Sequence, residues 1–333
     1  MPFLIRSTLV YAIPLMIVAL AGVFAERSGI INLALEGIMI FGAFIGAMFV
    51  RIMQSAGWFD AAKAAGSWMT LQGYLLLAML VTAAMGAVFS LLLAFAAINL
   101  RADQTIGGTA LNMLAPALAI TLTWAIQGQG QTTILIPSWA RITQETLGIE
   151  AKDTLFQQFL FKSLFITTVI AIILFIVAYI LLYKTKFGLR LRACGEHPQA
   201  ADSVGINVYR MRYAGVFISG ILGGIGGLAY TLAAGSGFQS QVAGYGFLAL
   251  AVMIFGNWKP FNILGASLFF ALFKIIGYYS SIIPWLPSFD SIKGSEYIYL
   301  MLPYIVTMIL LVLTSKKSRA PKAEGIPYDK GMR

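Results

Sequence analysis

Charge is scarce in this sequence: Asp, Glu, Lys and Arg together make up 11% of 333 residues, against about 25% in a soluble domain. With 59% hydrophobic residues and a mean hydropathy of +0.84, water is excluded as the main solvent. There is one cysteine, Cys194, which excludes an intrachain disulfide and, with no Cys or His cluster around it, a metal centre. There is also one histidine, His197, so no Ser/His/Asp constellation can be assembled and no catalytic residue is assigned. The dipeptide Gly-Lys does not occur, which excludes a phosphate-cradling P-loop. The chain is therefore not expected to be an enzyme, and any ATP-driven work needs a second polypeptide.

What the chain has is long apolar runs. A membrane-crossing helix needs about 20 apolar residues, and such runs occur at 7–25, 30–50, 74–98, 105–126, 160–183, 213–233, 262–279 and 297–313, with a shorter one at 247–255 behind a Gly-rich lead. The reading is an all-α polytopic bundle of about nine to ten spans. The first run has no small-residue cleavage site after it and leads straight into more apolar sequence, so it is expected to be retained.

The basic residues gather in two places. Segment 184–212 carries six Lys/Arg against two acids, and the tail 315–333 again carries six against two. By the positive-inside rule both belong in the cytoplasm. No basic face with interleaved aromatics appears, so nucleic acid is not an expected partner. Walking outward from 184–212 places 256–260 and 99–104 inside, 284–296, 127–159 and 51–73 outside, and the N-terminus outside. Within the basic segment, 196–205 (EHPQAADSVG) has the Pro and small residues of a short surface helix. The expected organisation is a transmembrane domain 1–314, interrupted by segment 184–212, followed by a basic tail 315–333.

Glycines crowd one run at positions 220, 223, 224, 226 and 227, and another has Gly42 and Gly46 four apart. In lipid such spacings let helix backbones approach closely. Stretch 234–246 (AGSGFQSQVAGYG), with Gln239 and Gln241, reads either as an unwound stretch lining a pathway or as an outer loop. Ionisable groups at membrane depth are costly. Glu26 and Arg27 read as interfacial or charge-neutralising. Glu36 lies four residues from Asn32; if the stretch is helical the two share a face pointing into the bundle, to bind substrate or to bond a broken helix. Asn112 and Lys274 pose the same question, and Lys274 can instead snorkel.

FAERSGIINLALEGIMIFGAF (24–44), RADQTIGGTALNML (101–114), KFGLRLRACGEHPQAADSVGINVYRMRY (186–213), IFGNWKPFNILGA (254–266) and APKAEGIPYDKGMR (320–333) occur in that order. Together they resemble the permease subunits of bacterial nucleoside-uptake ABC transporters, most like the second of the two paired permeases. The wider family is that of ribose, simple-sugar and branched-chain amino-acid permeases. Phe255-Gly256-Asn257-Trp258-Lys259-Pro260 stands where sugar and amino-acid relatives carry a double-Gly turn, which points to the nucleoside branch.

The resemblance implies a type II-like importer in the bacterial plasma membrane with its C-terminus in the cytoplasm. It implies a second permease, a cytoplasmic ATPase holding ATP and Mg, an extracellular substrate-binding lipoprotein, and membrane lipid around the bundle; this chain itself holds no cofactor. Glu196, Pro198, Ala200, Ala201 and Gly205 fall on a loop resembling the E-A-A-x3-G pattern that couples importers to their ATPase, with Arg190, Arg192 and His197 adding polar contacts. A nucleoside is flat and neutral, so the amide and aromatic residues Asn32, Asn112, Tyr230, Phe238 and Tyr245 are the expected pathway residues, and Glu36 joins them as an inward-facing group able to bind substrate. An ion-coupled secondary transporter, a simple-sugar permease and a structural scaffold are the competing readings.

Overall fold

A backbone that crosses lipid must satisfy its amides internally, which leaves helices for runs such as these. The computed structural model describes residues 2–64, 66–136, 141–142, 164–235, 237–280, 295–314 and 319–331. Its helices are α1 (Pro2–Glu26), α2 (Leu35–Ser55), α3 (Trp58–Ala64), α4 (Trp68–Ile98), α5 (Gln104–Gln127), α6 (Ile166–Tyr183), α7 (Lys186–Glu196), α8 (Pro198–Ser203), α9 (Val208–Ala234), α10 (Tyr245–Phe255), α11 (Pro260–Tyr278) and α12 (Ser295–Thr314). Two two-residue strands, β1 (Arg141–Ile142) and β2 (Leu164–Phe165), pair antiparallel.

Among the described residues seven helices, α1, α2, α4, α5, α6, α9 and α11, are long and apolar enough to cross a membrane. The expected nine to ten spans thus become seven full-length candidates, the 20-residue α12 and the 11-residue α10. The shortfall at α10 has a local cause: its Gly-rich lead is not helical. Most of the expected outer loops 127–159 and 284–296 falls outside the described residues.

Helix α9 is the axle. It packs on α4, α1 and α2, and in α1, α2 and α9 alike 78% of the most apolar window is buried, against 22% in α5 and α6. Glycine makes the approach possible: a Cβ on Gly86 of α4 would lie 2.5 Å from the Gly220 carbonyl oxygen, and one on Gly224 would strike the Thr82 carbonyl. The stripe read from the sequence is thus a helix-packing surface.

Contacts along α9 set the direction of its neighbours. Asn32 meets Ser219 midway along it and Met39 meets Gly227 nearer its end, so α2 runs parallel to α9. Phe24 and Ser28 meet Gly215 while Val18 meets Gly226, so α1 runs antiparallel. The end of α1, the α4–α5 link, α7, α8, the 256–259 turn and the tail consequently gather at one end, here the polar end. The segments read as sharing one side of the membrane do lie together.

Candidate functional site

At the polar end, chain chemistry builds a projecting foot. Thr185 caps α7 by accepting a hydrogen bond from the Gly188 amide (3.1 Å), His197 breaks the helix, and Pro198 opens α8 at the position where a missing N–H costs nothing. The short surface helix expected within 196–205 is α8, and α7, which was not anticipated, precedes it across the break at His197. Leu191, Cys194, Pro198 and Ala201 face inward; Arg190, His197, Ala200 and Gly205 face out, with Arg192 and Glu196 half-buried. Arg192 lies over the Tyr183 ring, 4.9 Å from its centroid. Composition-led reading missed Leu189 and Val204, apolar side chains 63% and 75% exposed on this foot.

Tight contacts root the foot in the bundle. A Cβ on Gly195 would collide with the Arg27 carbonyl, and the Arg27 guanidinium lies 3.4 Å from the Glu196 carboxylate. Glu26 and Arg27, read together as interfacial charges, have separate work. Glu26 is buried and accepts from the Trp258 indole N–H at 2.6 Å, bracing the 256–259 turn, in which Asn257 and Trp258 adopt positive φ.

The tail, read as a separate basic extension, is docked along this surface. Arg319 donates its amide to Asn257 (3.0 Å), Ala323 to the Gly195 carbonyl (2.8 Å) and Gly325 to the Gly29 carbonyl (3.2 Å). The buried Arg212 holds the Ile326 carbonyl (3.0 Å), Asp329 pairs with Arg101 (2.8 Å), and Lys330 lies 3.9 Å from Asp202 of α8. Tyr328 closes a small cluster with Cys194, Ala201 and Val208. Burial pushes the Cys194 thiol up to about 11, which makes it inert. Burial also pushes the Glu324 carboxyl up. Arg27, Glu196, Asn257, Lys259 and Arg319 line an open polar cleft of about 400 Å³ beside the foot.

Deeper in the bundle a second constellation appears. Asn32 is not on the helix with Glu36: α2 begins at Leu35, after a turn in which Gly29 has φ +97°. Its amide instead donates to Ser219 (2.8 Å) and accepts from the Ala34 amide (3.1 Å). Asn112 ties the same break from the other side, accepting from Gly37 (2.7 Å) and donating to the Leu33 carbonyl (2.7 Å). Glu36 reaches across to α10 and accepts from the amides of Gly244 (3.0 Å) and Gly246 (2.6 Å), capping a helix that has no cap of its own. Lys274 does not snorkel. Its ammonium is buried, donates to the Ala243 carbonyl (3.1 Å) and sits 5.5 Å from the ring centres of Tyr245, Tyr278 and Tyr304.

Within stretch 234–246, read as an unwound pathway lining or an outer loop, residues 237–244 are not helical and are anchored by the backbone pair between Phe238 and Ile134 (2.9 Å). Phe238 is buried against Phe44. Tyr230 packs against Tyr245 with ring centres 4.5 Å apart and planes tilted by 47°, beside a cavity at the end opposite the foot. Of the six expected pathway residues, Asn32, Glu36 and Asn112 thus hold a break in the helices, Phe238 anchors a loop, and Tyr230 lines a cavity with Tyr245 behind it.

Helices of lipid-crossing length around an unwound stretch, with a polar foot at one end, are the architecture of a multi-pass membrane transport protein. The chain belongs to the family described as the branched-chain amino acid transport system permease component, whose model matches residues 4–313. It is 41% identical to the guanosine ABC transporter permease protein NupQ of Bacillus subtilis, over 99% of this chain and 97% of that one. It is 39% identical to the nucleoside ABC transporter permease protein NupC of Lactococcus lactis, over 98% and 96%. A second Lactococcus nucleoside permease, NupB, is 26% identical over 78% of this chain and 68% of its own. No solved structure matches.

Proposed function

We propose that this chain is a permease subunit of an ATP-driven importer that carries nucleosides into a bacterial cell. The observation that carries the proposal is the α7–α8 foot, a two-helix projection with exposed Leu189, Ala200 and Val204, rooted on α1 by Arg27 and Gly195. A chain with no nucleotide-binding loop gains nothing from such a projection unless a soluble engine grips it. Small and apolar side chains suit a shallow cleft on an ATPase, and a hinged foot passes the closing stroke to the bundle.

The positive-inside rule puts the foot and the C-terminus in the cytoplasm and the N-terminus outside. Seven long helices plus α10 and α12 then make nine crossings, an odd number that agrees with those two ends. A second permease completes the pathway, as the paired names of the Lactococcus relatives suggest, and an extracellular lipoprotein supplies the substrate. The nucleoside cargo rests on the names of the most similar relatives and on an uncharged aromatic and amide lining at the outer end.

Reconstitution tests the proposal. The chain with its partner permease, ATPase and binding protein in proteoliposomes is expected to accumulate nucleoside only with ATP. ATP hydrolysis without nucleoside movement contradicts it.

A further inference from the structure

Tyr11 of α1, Tyr230 of α9 and Tyr278 of α11 converge with Gln239 and Gln241 of the unwound stretch around a cavity of about 440 Å³, inside the range of about 300–1,000 Å³ in which small-molecule sites fall. None of its lining residues is charged. Tyr230 packs 4.5 Å from Tyr245, and Tyr11 stands 6.3 Å from Tyr278 and from Tyr245, ring centre to ring centre. Three helices thus hold a wall of aromatic rings, and the loop places two primary amides beside it. Gln239 and Gln241 are exposed and make no side-chain hydrogen bond among the described residues.

The charge beneath the wall selects the ligand class. An aromatic box could attract a cation, but here the faces of Tyr245, Tyr278 and Tyr304 are already turned to the Lys274 ammonium. A second cation would be repelled by it. An anion would meet no donor stronger than a hydroxyl or an amide, since Lys274 is engaged with Ala243 and Tyr304. What remains favourable is a neutral flat ring: its face lies on tyrosine, and its edge, with donors and acceptors side by side, meets a carboxamide that carries both.

We propose that this cavity is a nucleoside subsite at the outer mouth of the pathway, in which the base rests on the Tyr230 and Tyr278 wall and Gln239 and Gln241 read its edge. The importer reading is the ground it stands on; the subsite narrows the substrate contacts to these five residues and assigns Asn32 and Asn112 to scaffolding.

The test uses the complete transporter in lipid nanodiscs and an 8-azido purine nucleoside as photoprobe. Label is expected on peptides containing residues 230–243 or 278–279, displaced by guanosine or adenosine and not by ribose. Tyr230→Ala and Gln239→Ala should each weaken labelling about tenfold, the scale of losing one stacking or bidentate contact. Gln239 is exposed, so Gln239→Ala leaves the melting temperature unchanged and separates loss of contact from loss of fold. Label confined to other segments, labelling indifferent to Gln239→Ala, or displacement by ribose as effective as by guanosine overturns the subsite. ATP-driven nucleoside uptake by the same wild-type complex keeps the two readings apart: uptake with an unlabelled cavity refutes the subsite alone, and absence of uptake refutes the importer reading and the subsite with it.

Discussion

The Arg27 guanidinium and the Glu196 carboxylate, 169 positions apart in the chain, stand 3.4 Å apart where the foot meets the end of α1. Glu196 is 41% exposed, and a pair so open to water stabilises the fold by less than about 1 kcal/mol. Its value is positional, because it joins the His197 hinge to a helix of the central trio. Arg27→Ala is therefore expected to leave the melting temperature within a degree or two while lowering nucleoside moved per ATP hydrolysed. Exchanging the charges, Arg27→Glu with Glu196→Arg, should recover much of the loss. A parallel fall in melting temperature and uptake would make the pair merely structural.

The glycine approach is far less forgiving. At Gly224 a methyl group would meet the Thr82 carbonyl and the Gly86 Cα, both backbone atoms of α4 that cannot rotate away. Overpacking of this kind costs about 1–3 kcal/mol. Gly224→Ala should lower the melting temperature and the yield in membranes, whereas Gly265→Ala, where a Cβ meets nothing within 4 Å, should change neither.

Glu36 separates two driving forces. As the cap of α10 it makes two hydrogen bonds to backbone amides from a charged oxygen pair, each kind worth about 1.5–3 kcal/mol. Glu36→Gln keeps one acceptor, so the expected loss is about 1–2 kcal/mol, read as a lower melting temperature. Uptake by the variant that survives should still follow ATP and ignore a protonophore or removal of sodium. Wild-type uptake that stops with the gradient at constant ATP, and a Glu36→Gln variant freed from that dependence, would favour an ion-coupled carrier.

Docking of the tail should depend on pH. Burial raises the Glu324 carboxyl above its ordinary range, so the docked tail binds a proton more tightly than the free one. Its contribution is fully present below the free-state value and is lost as pH rises through the raised one. Cys194, covered by Tyr328, reports the change. Maleimide labelling at fixed pH should be slow in the intact chain and approach that of an accessible thiol when residues 320–333 are removed. Protease cleavage of the tail should increase with pH in the wild type and less so in Glu324→Gln.

Much of this was legible in the sequence for physical reasons. Lipid forces apolar runs into helices, so each long run became one, and the excess of Lys and Arg marked the segments that the fold gathers at the polar end. The Gly220–Gly224 spacing announced a close crossing, because only glycine allows it. Other features depend on which distant residues meet. Nothing local says that α2 starts at Leu35, since Asn32 and Glu36 fit a helical face well; the break exists because Ser219, Asn112 and the α10 amides take up the polar groups it frees. Lys274 could equally have reached for water until Tyr304 and Ala243 supplied partners. The tail looks like a solvated basic extension because its anchors, Gly29, Gly195 and Arg212, lie more than a hundred residues away.

The central claim is that an external ATPase grips the foot made by α7 and α8. The direct measurement is ATP-driven nucleoside uptake by the reconstituted complex carrying Ala200→Arg and Val204→Asp, both on the exposed face and therefore compatible with an intact bundle. Normal expression and melting, loss of the ATPase from the purified complex, and loss of uptake are the expected results. Uptake undiminished with both substitutions in place would contradict the claim.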